Sequence, residues 1–388
     1  MMGEHITPYG SSFAPICKWI GAFFYFCAME PLKEMFNEVF YRKFAETFKT
    51  ADRNFDVEGF LKQVTHNLSE LSLNGRLRNT SLVLHDYLPK TFESSLSILY
   101  SVAPALPKGY TALVLPDYVA LYGQEYFQLS MEALRDFTSM GSSEFAVRLF
   151  LKKDLKTALK IMQNWATDSN VHVRRLASEG SRPRLPWSFK LDAIITDPSL
   201  TRGILEELKT DPELYVRKSV ANHLNDHSKD NVNYLISLLN EWDVTHVHTN
   251  WIMKHASRSL IKKGSSAALQ LFGFDGGDLV AVSDLGIEND ALKLGESLKF
   301  SFLVTSKESE VRKLVIDYAI HYVKAAGNAS SKVFKLKEIE LSPNQSVNIT
   351  KSQMIKDFTT RKHYSGKHVL EILINGKIVG STSFALEV

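Results

Sequence analysis

Residues 173 to 187 read VRRLASEGSRPRLPW and bring four arginines, one glutamate and one indole into fifteen residues. Guanidinium forks bind phosphate oxygens in pairs, and such contacts position a nucleic-acid backbone without reading its bases. Arg174, Arg175, Arg182 and Arg184 are therefore candidate backbone contacts, with Arg148 upstream. An indole face attracts a cation by roughly 0.5–2 kcal/mol, which gives Trp187 a chemistry beyond packing. Two carboxylates complete the set. Glu179 falls at the end of an expected helix, where its charge opposes the dipole and asks for another partner. Glu144 follows Ser142 and Ser143 at an expected helix start. Each residue also has a plainer reading. Glu144 suits a helix N-terminus, Glu179 pairs with Arg175 four residues earlier, Trp187 opens the next helix as a core residue, and any one arginine is a solvated or inter-helix charge.

The elements that would position these groups are helical. The chain has 388 residues and a formal charge of +3, long enough for two or three domains and a sizeable core. Residues 144–264 hold 19 Lys and Arg against 14 Asp and Glu. The basic segment thus coincides with the arginine string, and basic patches suit polyanions. From Met29 to about Phe274 apolar residues recur at three and four, as in FLKQVTHNLSELSL and LKTALKIMQNWA, the helical period. A repeat is embedded there. DSNVHVRRLASEG (168–180) aligns with DPELYVRKSVANH (211–223), placing Arg217 under Arg174 at an offset of 43 residues, and WIMKHASRSLIKKG (251–264) is a third copy. Two-helix units of this period build HEAT-like solenoids with a concave binding face. Asp168 and Asp211 are expected helix N-caps. Lys218, Lys254, Arg258, Lys262 and Lys263 add further candidate backbone contacts. Trp165, Trp242 and Trp251 sit in apolar helical patterns and read as core.

Near residue 278 the period changes to two. SLKFSFLVT, RKLVIDYAIHYVK, SKVFKLKEIEL, QSVNITKS, HVLEILI and KIVGSTSFALEV, with VAVSDLGIE before them, predict about seven strands in roughly 110 residues. Asn375-Gly376 is a type I′ hairpin signal. The composite is an antiparallel immunoglobulin-like sandwich over 278–388, joined to a helical domain over 29–274 by FGFDGGD. Cys17 and Cys27 are the two cysteines, so no disulfide framework spans the body. The first 28 residues carry an apolar run, APICKWIGAFFYFCA. Met29 starts a segment that reads as an ordinary protein beginning, so 1–28 is expected to be a non-native or disordered extension. A buried amphipathic helix and a targeting segment remain the alternatives. His246, His248 and His255 have no carboxylate at ligand spacing, and no metal or cofactor is expected. No Gly-rich phosphate loop, nucleophile elbow or HExxH occurs in the chain.

The run from SMEALRDFT through SSEFAVRLFL and HVRRLASEGSRPRLPW to VRKSVANHLNDHSKDN and WIMKHASRSLIKKG resembles the AlkC branch of the HEAT-like-repeat DNA alkylation glycosylases. The resemblance runs from Met29 to the end, including the C-terminal immunoglobulin-like domain. One departure is AVRLFL, where many relatives have proline after the arginine.

The resemblance implies a monofunctional bacterial DNA glycosylase acting on duplex DNA. It would release bases alkylated on N3, such as 3-methyladenine and 3-methylcytosine, without flipping them out. It also implies roles for Glu144 and Glu179 as carboxylates at the lesion and for Trp187 as an aromatic face. Such a base is already cationic and leaves without a general acid. The enzyme must stabilise an oxocarbenium-like sugar and place a water, as glycoside hydrolases do. A cytoplasmic monomer that needs no protein partner or membrane is expected, with the sandwich gripping DNA from a second side. The rival of another class is a non-catalytic HEAT scaffold that binds DNA or protein.

Overall fold

The computed structural model describes residues 31–274, 279–357 and 362–388. The expectations for residues 1–28 lie outside the described residues, as does most of the expected linker. The helical part comprises α1 (Glu38–Ala51), α2 (Val57–Thr65), α3 (Leu73–Tyr87), α4 (Phe92–Val102), α5 (Val114–Tyr122), α6 (Phe127–Phe137), α7 (Val147–Lys153), α8 (Leu155–Trp165), α9 (Val171–Gly180), α10 (Asp192–Thr196), α11 (Arg202–Leu208), α12 (Leu214–His227), α13 (Val232–Glu241), α14 (Val247–Lys262) and α15 (Ser266–Gln270). Side chains of Asn37, Asp56, Ser72, Asp154 and Asn170 accept backbone N–H groups at their helix starts, satisfying donors that lack an intrahelical partner.

The three sequence copies become three stacked helices, with α12 packed between α9 and α14. The matched arginines do matched work. Arg174 Nη1 donates to the Asp168 and Ser169 carbonyls at 2.9 and 3.0 Å. Arg217 Nη1 donates to the Asp211 and Pro212 carbonyls at 2.9 and 2.6 Å. The capping expectation needs correction, because Asn170 and Glu213 hold the N-cap positions of α9 and α12, and of these two Asn170 alone caps through its side chain. Asp168 and Asp211 stand two residues earlier and accept the Asn170 and Glu213 N–H groups, both at 2.8 Å. They form Asx turns that bend the chain into each helix.

The sandwich comprises β1 (Val280–Ile287), β2 (Ala291–Lys293), β3 (Ser297–Ser306), β4 (Arg312–Val323), β5 (Ala329–Leu341), β6 (Ser346–Met354), β7 (Gly366–Ile374) and β8 (Lys377–Glu387). One sheet runs β1-β3-β6 and the other β2-β8-β7-β4-β5. Pairings are antiparallel except for three-residue β2, which runs parallel to β8. Asn375 and Gly376 join β7 to β8 with φ of 48° and 76°, the positive angles of the expected turn. The β4 strand is buried on both faces, so the alternation of its sequence is blurred. Leu314, Ile316, Tyr318 and Ile320 face the sandwich core, whereas Val315 joins the helical core.

That second face is the seam between the two parts. Gly264 ends α14 with φ 71°, and Ser265 N–H reaches back to the Leu260 carbonyl at 3.0 Å, a Schellman closure. Gly264 then meets Gly376 backbone to backbone. A Cβ added at Gly376 would stand 2.1 Å from Gly264 Cα. Asn375 exchanges two 2.9 Å hydrogen bonds with the Val315 backbone, one through its own N–H and one through its side-chain oxygen. The hairpin turn therefore also locks the sandwich onto the solenoid.

Candidate active site and nucleic-acid interface

Glu144 and Glu179 are brought into one ion-pair ladder. Ser143 is buried and donates to the Leu134 carbonyl at 2.6 Å, pinning the turn before α7 to the end of α6. Glu144 leaves that turn half-buried, and Ser142 Oγ donates to its Oε2 at 2.7 Å. Arg175, on α9, binds the same Oε2 with Nη1 and stands 3.7 Å from Glu179 Oε1 with Nη2. Arg182 Nη1 donates to Glu179 Oε1 at 2.7 Å. The other edge of Arg182 closes on Asp226 of α12 at 2.9 and 3.2 Å. The order Glu144, Arg175, Glu179, Arg182, Asp226 thus crosses two neighbouring repeats. The acid that opposed the α9 dipole has two cations to offset it.

Burial and pairing compete along this ladder. Burial works to lower the Arg175 pKa, but Glu144 and Glu179 together override it and leave it raised. At Asp226 burial prevails over Arg182, and its pKa is raised. Asp226 was not foreseen from the sequence. A signal was present, because it lies three residues after His223 and ten after Val216, on the buried stripe of α12. A charge on an apolar stripe needs a partner.

The expectation that the arginines of this string, with Arg148, contact a nucleic-acid backbone is corrected for most of them. Ser181, Arg182, Pro183 and Leu185 are buried. Arg148 is 0% exposed and donates to the carbonyls of Gly180 and Arg182 at 3.0 and 2.7 Å, and to that of Phe189. Burial, then Arg182, bring its pKa down to about 10, so it stays charged. Its charge closes the loop and is out of reach of a phosphate. Arg182 is likewise consumed inside the ladder. Arg174 bridges repeats through Asp211 at 2.7 Å, and Arg184 makes a two-pronged contact with Asp230, 2.6 Å on each side. Gly180 is the last residue of α9, and a Cβ there would strike Val147 Cγ1 at 2.6 Å.

Of the weaker cations, Lys218 and Lys263 are exposed. Arg258 is half-buried and donates to Asn222 Oδ1 at 3.0 Å. Lys254 and Lys262 turn to the seam, Lys254 lying 3.9 Å from Glu338 and Lys262 donating to the Val333 carbonyl at 3.4 Å. Trp165 and Trp242 are buried in the helical core, and Trp251 is partly buried against it. His248 Nδ1 faces the Thr210 carbonyl at 3.2 Å, and His255 stacks on Trp251 with centroids 5.0 Å apart.

Trp187 behaves differently from the arginines around it. Its φ is +64° and it is 89% exposed. The other non-glycine residues with positive φ among the described residues are Asn and Asp, which tolerate that conformation. A bulky residue in that conformation carries strain of order 1–3 kcal/mol. The indole stands at the lip of a cavity of about 430 Å³ that Ser142 and Phe145 also line. Ser142 is the residue that bonds Glu144, so the indole and the ladder border the same hollow.

Comparison with known proteins places these features in context. Residues 138–260 match the family model described as DNA alkylation repair enzyme. Residues 281–388 match the C-terminal Ig-like domain of YhaZ. A protein of Bacillus subtilis (strain 168), YhaZ, is 42% identical over 357 residues, covering 92% of this chain and 99% of its own. The Pseudomonas fluorescens alkylpurine DNA glycosylase AlkC, solved bound to DNA containing an abasic site analog, superposes with a TM-score of 0.89. It is 46% identical over 92% of this chain and 100% of its own.

Proposed function

This chain belongs to the AlkC branch of the DNA alkylation repair enzymes, and from that membership we propose that it is an alkylpurine DNA glycosylase. Its reaction is hydrolysis of the N-glycosidic bond of cationic, N3-alkylated bases such as 3-methyladenine and 3-methylcytosine in duplex DNA, with the base left unflipped. It works as a cytoplasmic monomer. The observation that carries this reading is the pairing of Glu144 and Glu179 through Arg175 beside the strained, exposed Trp187.

The chemistry follows from charge. The C1′–N bond breaks with its electron pair passing to the base, whose cation is thereby neutralised. Positive charge moves to C1′ and the ring oxygen. Water then adds to C1′ and gives up a proton to a carboxylate. A carboxylate about 4 Å from that charge is worth on the order of 4 kcal/mol at an effective dielectric of about 20, and a guanidinium about 8 Å away takes back roughly 2. The remaining ~2 kcal/mol is about thirtyfold in rate per carboxylate. Holding each acid on a guanidinium costs part of its pull but fixes it before the reaction starts.

The test is incubation with duplex DNA carrying 3-methyladenine or 3-methylcytosine. Free base and an alkali-labile site are expected, with intact strands before alkali. Absence of base release from every alkylated duplex would overturn the reading and leave a binding scaffold.

A further inference from the structure

The turn that carries Glu144 is anchored on both sides. Gly109 N–H donates to the Met140 carbonyl at 2.8 Å, and Ser143 N–H donates to Thr138 Oγ1 at 3.3 Å. Gly141 runs so close to its neighbour that a Cβ on it would stand 2.8 Å from the Gly109 carbonyl oxygen. Ser142 sits between these anchors. We propose that Ser142 is a positioning residue whose hydroxyl claims one oxygen of Glu144, so that the other, Oε1, is left to hold the water that adds to C1′; this rests on the glycosylase reading above.

Three observations carry the proposal. First, the direction of the hydroxyl is forced. A serine hydroxyl has one hydrogen and two lone pairs. Arg175 Nη1 donates to Ser142 Oγ at 3.2 Å, and Glu144 N–H donates to it at 3.4 Å. Both lone pairs thus face N–H groups, and the single hydrogen goes to Glu144 Oε2 at 2.7 Å. The rotation that an exposed hydroxyl ordinarily enjoys is gone.

Second, the two oxygens of Glu144 are treated unequally. Oε2 takes the Ser142 hydroxyl and Arg175 Nη1 together. Oε1 takes no hydrogen bond from any described residue and is not sealed from solvent. A carboxylate tied through one oxygen and open at the other has a fixed place from which to accept a proton from water.

Third, the plainer role of Ser142 does not account for its contacts. A serine that caps a turn bonds a backbone N–H two residues on, which explains the Glu144 N–H alone. The closed triangle of Ser142 Oγ, Glu144 Oε2 and Arg175 Nη1 is additional. Glu179 has no such partner, for its Oε1 faces Arg175 and Arg182 and no hydroxyl among the described residues. Ser142 therefore distinguishes one acid of the ladder from the other.

The experiment is single-turnover base release from a 3-methyladenine duplex at increasing concentrations of full-length protein, which separates the maximal rate from the half-saturating concentration. Ser142→Ala should lower the maximal rate about three- to tenfold, a part of the roughly thirtyfold that one carboxylate supplies, because Arg175 still holds the acid. The half-saturating concentration should stay within about twofold of wild type. Ser142→Cys, similar in shape but a weak donor, should behave as alanine does, and Ser142→Thr, which keeps the hydroxyl, should recover the rate to within about twofold. In a Glu144→Gln background Ser142→Ala should add less than about twofold, since it acts through that acid. Melting curves confirm that each variant folds. A wild-type rate in both the alanine and cysteine variants, a threonine variant no faster than alanine, or the full alanine effect in the Glu144→Gln background overturns the positioning role and spares the glycosylase reading. A wild type that releases no base overturns that reading itself.

Discussion

Glu144 and Glu179 share one cation: Arg175 takes Glu144 on Nη1 and stands 3.7 Å from Glu179 on Nη2. Neither acid is free to relax toward solvent, and the Arg182–Asp226 pair braces Glu179 from the other side. Glu144→Gln removes one fixed negative charge and leaves Arg175 its bond to Glu179. Single-turnover base release is expected to fall by about thirtyfold, the ~2 kcal/mol that one carboxylate retains after its guanidinium is subtracted. Affinity for the same duplex should change less than about threefold, because the phosphate contacts that dominate it are untouched. Base release within threefold of wild type would remove Glu144 from the chemistry.

Trp187 separates function from stability. Trp187→Gly relieves a left-handed bulky residue and deletes an indole that is 89% exposed. The relief, of order 1 kcal/mol, roughly balances the greater backbone freedom of glycine in the unfolded chain. Thermal melting should therefore stay within about 1 kcal/mol of wild type, while base release drops about two- to thirtyfold with loss of the cation-attracting face. A large loss of stability would mark Trp187 as a packing residue.

The buried and exposed cations predict opposite phenotypes. Arg148→Met leaves three carbonyls without their shared donor and should cost about 3–5 kcal/mol of stability. Lys218→Ala, on an exposed side chain, should leave melting unchanged. If Lys218 meets a phosphate, the slope of log affinity against log salt becomes shallower by about one. A normally stable Arg148→Met protein with weakened DNA binding would restore Arg148 to the interface.

Acid should weaken the solenoid through His227. Its ring nitrogens are buried without partners, and burial brings its pKa down to about 4. Between the unfolded value near 6.5 and that folded value, the unfolded chain holds a proton that the folded chain lacks. Stability is therefore present above about pH 6.5 and is lost as pH falls toward 4. At pH 5 this loss is about 2 kcal/mol. His227→Leu removes it, so the drop in melting temperature from pH 7.5 to 5.0 should be smaller in the variant. An identical drop in both proteins would acquit His227.

Gly376→Ala tests the seam. The new Cβ would stand 2.1 Å from Gly264 Cα, and backbone cannot yield as a flexible side chain can. The left-handed φ of 76° adds about 1 kcal/mol. The expected result is a melting profile with two transitions, the sandwich parting from the solenoid, and weaker DNA binding. A single wild-type transition would show that the contact does not hold the parts together.

The helical period, the switch to period two after residue 278, the 43-residue repeat and the Asn375-Gly376 turn were all legible in the sequence, because each is a local relation between neighbours along the chain. So was the company of Glu144, Glu179 and Trp187 with the arginine string, through its resemblance to a known family. What each arginine does was not legible. Arg148, Arg174, Arg182 and Arg184 have the composition of a phosphate-binding loop, yet the structure turns them onto carbonyls, Asp211, Glu179, Asp226 and Asp230. Apart from Glu179, three residues before Arg182, those partners lie up to 46 residues away and meet the arginines only when the helices pack together. Whether a guanidinium faces solvent or a carboxylate depends on the free energy of burying both together, and that is decided only where the elements come into contact.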